Sequence, residues 1–84
     1  MDWKKYGFVL ASSSRRKVLL TLKDKPMIPS QVSKIIKMHL SHVSRTLKEL
    51  EEKGLVICLT PDMVKGKIYR LTKTGKAIAN KIIP

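Results

Sequence analysis

The side chains of this sequence with usable chemistry are hydrogen-bond donors and cations rather than nucleophiles or acid–base pairs. They concentrate in residues 29–53, PSQVSKIIKMHLSHVSRTLKELEEK. At 100° per residue, Leu40, Val43, Leu47 and Leu50 fall in one sector, spaced three, four and three, and form a stripe expected to be buried. Ser41, Arg45 and Lys48 collect on the opposite face, with His42 to one side. Glu49, Glu51 and Glu52 come only in the last turns, so the acidic tail is expected to point elsewhere. The Arg45 guanidinium can fork onto two acceptors of a guanine edge, a contact typically worth about 1–3 kcal/mol of discrimination. The competing reading is an i,i+4 pair with Glu49, worth a few tenths of a kcal/mol. Ser41, His42 and Ser44 can donate to phosphates or bases, although serines at a helix start serve equally as local caps. Lys48 suits a phosphate. Ser30 and Gln31 open a preceding helix, where free N–H groups and the helix dipole favour an anion. Lys65 and Lys67 flank Gly66 in a turn, and Arg15, Arg16 and Lys17 read as a solvated helix face.

Composition points the same way. Eighteen Lys and Arg against six Asp and Glu give 84 residues a net charge of +12. A solvated surface explains solubility but not so one-sided a charge, which favours a polyanionic partner. Between Ser13 and Lys48 only Asp24 is acidic, against nine Lys or Arg. One domain of this size buries roughly 60–65% of its unfolded surface, so the core is small and dimerisation would add stability. Cys58 is the only cysteine, which excludes an internal disulfide and fits a reducing, cytoplasmic setting. No apolar run is long enough to cross a membrane, and no segment pairs a broad apolar face with a basic one. His39, His42 and Cys58 match no common zinc spacing, and Cys58, in an apolar run, reads as a core residue. Neither a metal nor a cofactor is expected, and no constellation for catalysis is present.

The elements that must position these residues follow from periodicity and punctuation. Residues 3–10, WKKYGFVL, rich in aromatic and β-branched types, read as a short strand or arm with Tyr6, Phe8 and Leu10 on one face. Ser12, Ser13 and Ser14 are cap candidates for a first helix over about 14–24, which turns Val18, Leu19 and Leu22 inward. Met27 and Ile28 can add a β-bridge. A second helix over about 29–36 starts on Pro29 and buries Val32, Ile35 and Ile36. A third runs over about 40–53, and Gly54 closes it. LVICLT (55–60) and KIYRLT (67–72) form a hairpin across the six residues PDMVKG. Thr72 or Thr74 caps a last helix that ends near Ile83. Trp3, Met63 and Val64, and with them Ile78, Ile82 and Ile83, are candidates for packing on a second copy. The alternative is that the N-terminal strand and the last helix cover each other within one chain.

This order, mainly α with a β-hairpin, resembles the winged helix-turn-helix family, in particular small archaeal and bacterial transcription regulators of the MarR/ArsR type. SHVSRTLKELEEKGLV (41–56) is similar to the family's "VSRxLKxLExxGLV", GKIYRLTKTGK (66–76) to its wing strand and "LTxxG", and PSQVSKIIK (29–37) to its "TPxxIAxxLG". The resemblance spans residues 13–80 and implies a three-helix bundle plus wing; with the N-terminal strand and C-terminal helix read above, this makes a single domain over 1–84. It further implies binding to double-stranded DNA, with a recognition helix over about 40–53 in the major groove and a wing over about 60–67 on the backbone or minor groove. The chain lacks the long terminal dimerisation helices of the MarR type, and the homodimer expected here rests on the small core and the uncovered apolar residues. The sequence departs from the pattern at Ile28 (usually a Thr or Ser cap), Ser33 (usually Ala), Lys37 (usually a left-handed Gly) and His39 (usually a better cap). The paired cysteines of ArsR metal sensors are absent. Two other uses of such a domain stay open: a protein-interaction module within a larger assembly, and RNA binding, which the scarcity of aromatics disfavours.

Overall fold

The computed structural model describes residues 1–82. In chain order the elements are α1 (Trp3–Leu10), α2 (Ser13–Thr21), α3 (Pro29–Ile36), α4 (Leu40–Glu52), β1 (Val56–Cys58), β2 (Tyr69–Leu71) and α5 (Lys73–Lys81). The architecture is the expected one, helical with one antiparallel hairpin, except at the N-terminus. Residues 3–10 are a helix and not a strand. Asp2 caps it, its carboxylate accepting from the Lys5 N–H at 3.1 Å. Residues 3–10 do not join the sheet, which among the described residues is the β1–β2 hairpin, and a strand standing apart from it would leave its backbone groups unpaired. The helix satisfies them internally and drives Val9 fully into the core, with Tyr6 and Phe8 packed beside it.

Ser12 caps α2, accepting from the Arg15 N–H, and Val18, Leu19 and Leu22 are buried as expected. The helix ends at Thr21, a few residues before the expected limit. Met27 exchanges two backbone hydrogen bonds with Tyr69, at 3.0 and 2.9 Å, which is the expected bridge. Ile28 is instead the N-cap of α3. Within α3, Val32 is fully buried and Ile36 partly, but Ile35 is 58% exposed, contrary to expectation. At 100° per residue Ile35 lies about 80° from the centre of the Val32–Ile36 stripe, too far for an eight-residue helix that packs on α2 and α4 through that stripe. Lys37 closes α3 in the left-handed region, φ 54° and ψ 51°. The departure at Ser33 bears on this turn, because its hydroxyl donates to the Met38 carbonyl across the turn that Lys37 makes. His39, as expected, gives α4 no side-chain cap.

The core lies where α4 meets α2, α3 and β1. Val43, Thr46, Leu47 and Leu50 are at most 2% exposed. Leu40, expected in the same stripe, is 49% exposed. It sits about 70° from the centre of the buried sector, beside Ser44 and Glu51.

Gly54, at φ 72°, reverses the chain after α4, and Leu55 donates back to the Leu50 carbonyl at 2.9 Å. The hairpin pairs Val56 with Leu71, Ile57 with Arg70 and Cys58 with Tyr69. Its strands are shorter than expected, but bonds from Leu59 N–H to the Ile68 carbonyl and from Ile68 N–H to Thr60 Oγ1 continue the ladder to the expected loop. Thr72 caps α5 and donates its hydroxyl to the Gly54 carbonyl at 2.6 Å. Ile78 is fully buried and Ile82 9% exposed, so these two pack within the chain and not on a second copy; Ile83 lies outside the described residues. Trp3 stacks edge-on with Tyr6 beneath the Lys81 ammonium and stays 62% exposed.

Two glycines give opposite expectations. A Cβ on Gly75 would collide with the backbone carbonyl of Leu55, whereas one on Gly7, inside α1, meets nothing. Gly75→Ala is expected to cost roughly 1–3 kcal/mol, as overpacking does. Gly7→Ala is expected to stabilise by about 0.5–1 kcal/mol, as in any exposed helix interior. Thermal unfolding reads both, at about 4–8 °C per kcal/mol for a domain of this size. A loss on Gly7→Ala would count against the helix at 3–10.

Candidate nucleic-acid interface

The start of α3, one ridge of α4 and the hairpin loop enclose an open groove of about 560 Å³. Ser30 enters from α3, Ser44 and Lys48 from α4, and Lys65 and Lys67 from the loop. Five of the nine residues singled out from the sequence thus meet in one place. Ile28, Leu40, Val64 and Tyr69 supply its apolar lining. Val64 is 93% exposed at the loop tip and Met63 beside it is 48% exposed, so both remain uncovered by the chain itself.

The other four residues lie outside the groove. Ser41 and Arg45 continue the exposed outer face of α4. His42 is also exposed, but on the flank shared with Glu49, away from the hairpin. Gln31 is exposed at the start of α3, and its Oε1 already accepts from the Ile28 N–H at 3.1 Å, which leaves only its amide N–H groups free.

Charge pairing separates the arginines. Glu49 does not pair with Arg45; it pairs with Arg15 at 3.4 Å. Arg15, expected on a solvated helix face, is instead half-buried. It lies 3.8 Å above the Phe8 ring and donates to the Phe8 carbonyl at 2.9 Å, clamping α1 onto α2 and α4. The sequence signal for this was weak, because nothing in the spacing of residues 8, 15 and 49 links them. Arg45 makes no ion pair among the described residues and stays exposed. Glu51 corrects another expectation: it lines the groove with Lys48 instead of pointing elsewhere.

Sequence reasoning also missed Leu40 and Tyr69. Leu40, Ser44 and Lys48, spaced by four, form a ridge that was legible in principle. Tyr69 joins the groove through its pairing with Met27 and Cys58. Cys58 is half-buried against the core with a free thiol. Among the described residues no three His, Cys, Asp or Glu side chains gather as metal ligands, and no helix is long and apolar enough to cross a membrane.

Two helices joined by a tight turn, followed by a hairpin that flanks the second helix, define a winged helix-turn-helix fold. The chain belongs to the family described as HVO_A0261 N-terminal domain, whose model matches residues 3–83. Among solved structures, the reduced form of MarR from Escherichia coli is similar with a TM-score of 0.78 and 25% identity, over 93% of this chain and 59% of that one. HlyU from Vibrio cholerae has a TM-score of 0.74 at 22% identity, over 95% and 90% of the two chains. A ZitR mutant from Lactococcus lactis has 0.74 at 18%, over 83% and 49%. The chain therefore spans about half to three fifths of the ZitR and MarR chains. These neighbours are MarR-family and winged-helix regulators, not enzymes. No curated protein matches the sequence significantly.

The groove also contains a titrating group. The Tyr69 hydroxyl is held above its ordinary pKa of 10.0, first by burial, then by the Glu51 carboxylate and by Cys58. The folded state thus favours the protonated phenol. Its contribution to stability is complete below the ordinary tyrosine value and is lost as pH rises through the higher folded one, because the unfolded chain releases the proton first. Urea unfolding at a series of pH values from about 9 upward is expected to give a steeper loss of stability for the wild type than for Tyr69→Phe. Equal slopes would show that the phenol is not held protonated by the fold.

Proposed function

We propose that this chain binds double-stranded DNA in a sequence-specific manner as a winged helix-turn-helix transcription regulator. The observation that carries this reading is the meeting of Ser30, Ser44, Lys48, Lys65 and Lys67 along one groove, beside an exposed face where Arg45 has no acidic partner among the described residues. The N-terminal half of α4 enters the major groove, with Arg45 central and Ser41 and Ser44 beside it. Ser30 and the free amide of Gln31 meet a phosphate at the start of α3. Lys65 and Lys67 brace the hairpin on the backbone or in the minor groove. His42 sits at the margin of this surface. The likeness to MarR supports the reading, as does the net charge of +12.

The protein acts in the cytoplasm as a homodimer on a pseudo-palindromic site. The exposed Trp3 of α1, next to α5, supports a contact with a second copy there. Most of the affinity comes from phosphate neutralisation and is strongly salt-dependent.

The test is titration of a mixed-sequence duplex across a salt series, for wild type and Arg45→Ala, with sedimentation to give the oligomeric state. Log affinity should fall linearly with log salt, at a slope of several phosphates. On a selected site Arg45→Ala should lose about 1–3 kcal/mol and relax one base position, with unchanged thermal stability. A flat salt response, or no binding at low salt, would remove the DNA reading and leave the uncovered Met63 and Val64 as the place to seek a protein partner.

A further inference from the structure

We propose that Leu40 reads the 5-methyl group of a thymine in the major groove, so that the preferred site carries an A·T pair at that position. The assignment rests on the DNA-binding reading above and names a base that Arg45 does not read.

Leu40 is the first residue of α4 and is 49% exposed, outside the buried set of Val43, Thr46, Leu47 and Leu50. It heads the ridge that continues through Ser44 and Lys48 and lines the groove with them. Among the outward-facing residues from Leu40 to Lys48 the others are Ser41, His42, Ser44, Arg45 and Lys48, all polar or cationic. Helical side chains lean toward the N-terminus, so Leu40 projects ahead of the helix, where such a helix meets base edges. Lys48 follows two turns back on the same ridge, roughly 12 Å along the axis, a reach suited to the backbone rather than the same base pair.

The chemistry then selects one base. Every base presents hydrogen-bonding groups in the major groove, and thymine alone adds a methyl group. A leucine pressed against one of the other edges would strip water from donors or acceptors and offer nothing in return. Against thymine it buries a methyl on apolar carbon. The groove sets Lys48, Lys65 and Lys67 against the single carboxylate of Glu51, a positive balance that favours a polyanion over an apolar peptide.

The experiment starts from the duplex that the wild-type chain prefers in selection from a random pool. Each thymine is replaced singly by deoxyuridine, which deletes only the methyl group, and affinities are measured by fluorescence anisotropy for wild type and Leu40→Ala. At one position per half-site, deoxyuridine should weaken wild-type binding about four-fold, the factor for one buried methyl-sized group. Leu40→Ala should bind the two duplexes equally and keep the wild-type salt slope. Because the substitution is made in the DNA, the wild-type result does not depend on how the variant folds. Salt-dependent binding with no sensitive thymine, or the same four-fold loss in Leu40→Ala, overturns the Leu40 assignment and leaves DNA binding standing. Absence of duplex binding at low salt overturns both.

Discussion

The Leu55 carbonyl accepts from the Thr72 N–H at 3.1 Å and lies so close to Gly75 that no side chain fits there. This contact joins three elements: the end of α4, the base of the hairpin and the first turn of α5. Thr72 reinforces it twice, by capping α5 and by donating to the Gly54 carbonyl. These short backbone contacts act with the core packing of Leu47, Leu50, Leu55 and Val56 to set the angle between α4 and the hairpin. The groove exists only at that angle, because one wall belongs to α4 and the other to the hairpin loop. The glycine of the "LTxxG" pattern has its physical explanation here.

The second wall depends on Met27. Its two backbone bonds to Tyr69 form an isolated bridge beside the hairpin and tether the start of α3 to it. Ser30 thereby faces the same space as Lys65 and Lys67. Closing α3 places Lys37 in a conformation that costs a non-glycine residue of order 1–3 kcal/mol. The Ser33 hydroxyl bond across that turn offsets part of it. Two departures from the family pattern, at residues 33 and 37, thus occupy the two sides of one turn.

What the sequence disclosed, and what it hid, follows from the range of the forces involved. The boundaries of α3 and α4 and the reversal at Gly54 are local matters of period, capping and φ, and were legible; the cap of α5 was legible as Thr72 or Thr74, and the structure uses Thr72. The N-terminal helix was not, because aromatic and β-branched content suggested a strand while the deciding facts were an Asp2 cap and the absence of a strand to pair with. Arg15 looked like any surface arginine; only tertiary packing reveals Phe8 beneath it and Glu49 beside it. Ile35 and Leu40 failed for a shared reason. Periodicity reports which residues are apolar, but the width of the contact stripe is set by the neighbours, and both residues lie at its margin. The grouping of Ser30, Ser44, Lys48, Lys65 and Lys67 could not be derived from spacing alone, because it depends on how the start of α3, α4 and the hairpin loop pack together.

The distribution of charge along α4 gives the surface a direction. Glu49, Glu51 and Glu52 stand in its last turns, where the helix dipole disfavours acidic groups by roughly 0.3–1 kcal/mol each at an exposed site. Arg15 offsets this for Glu49. Glu51 has no such partner among the described residues, and it lies at the groove beside Lys48. A polyanion approaching this surface is attracted along Ser41, Ser44, Arg45 and Lys48 and repelled beyond them. In the proposed DNA complex the acidic end therefore marks the limit of the contact. It favours docking by the N-terminal half of α4 over docking along its whole length, at a small cost to the stability of the helix.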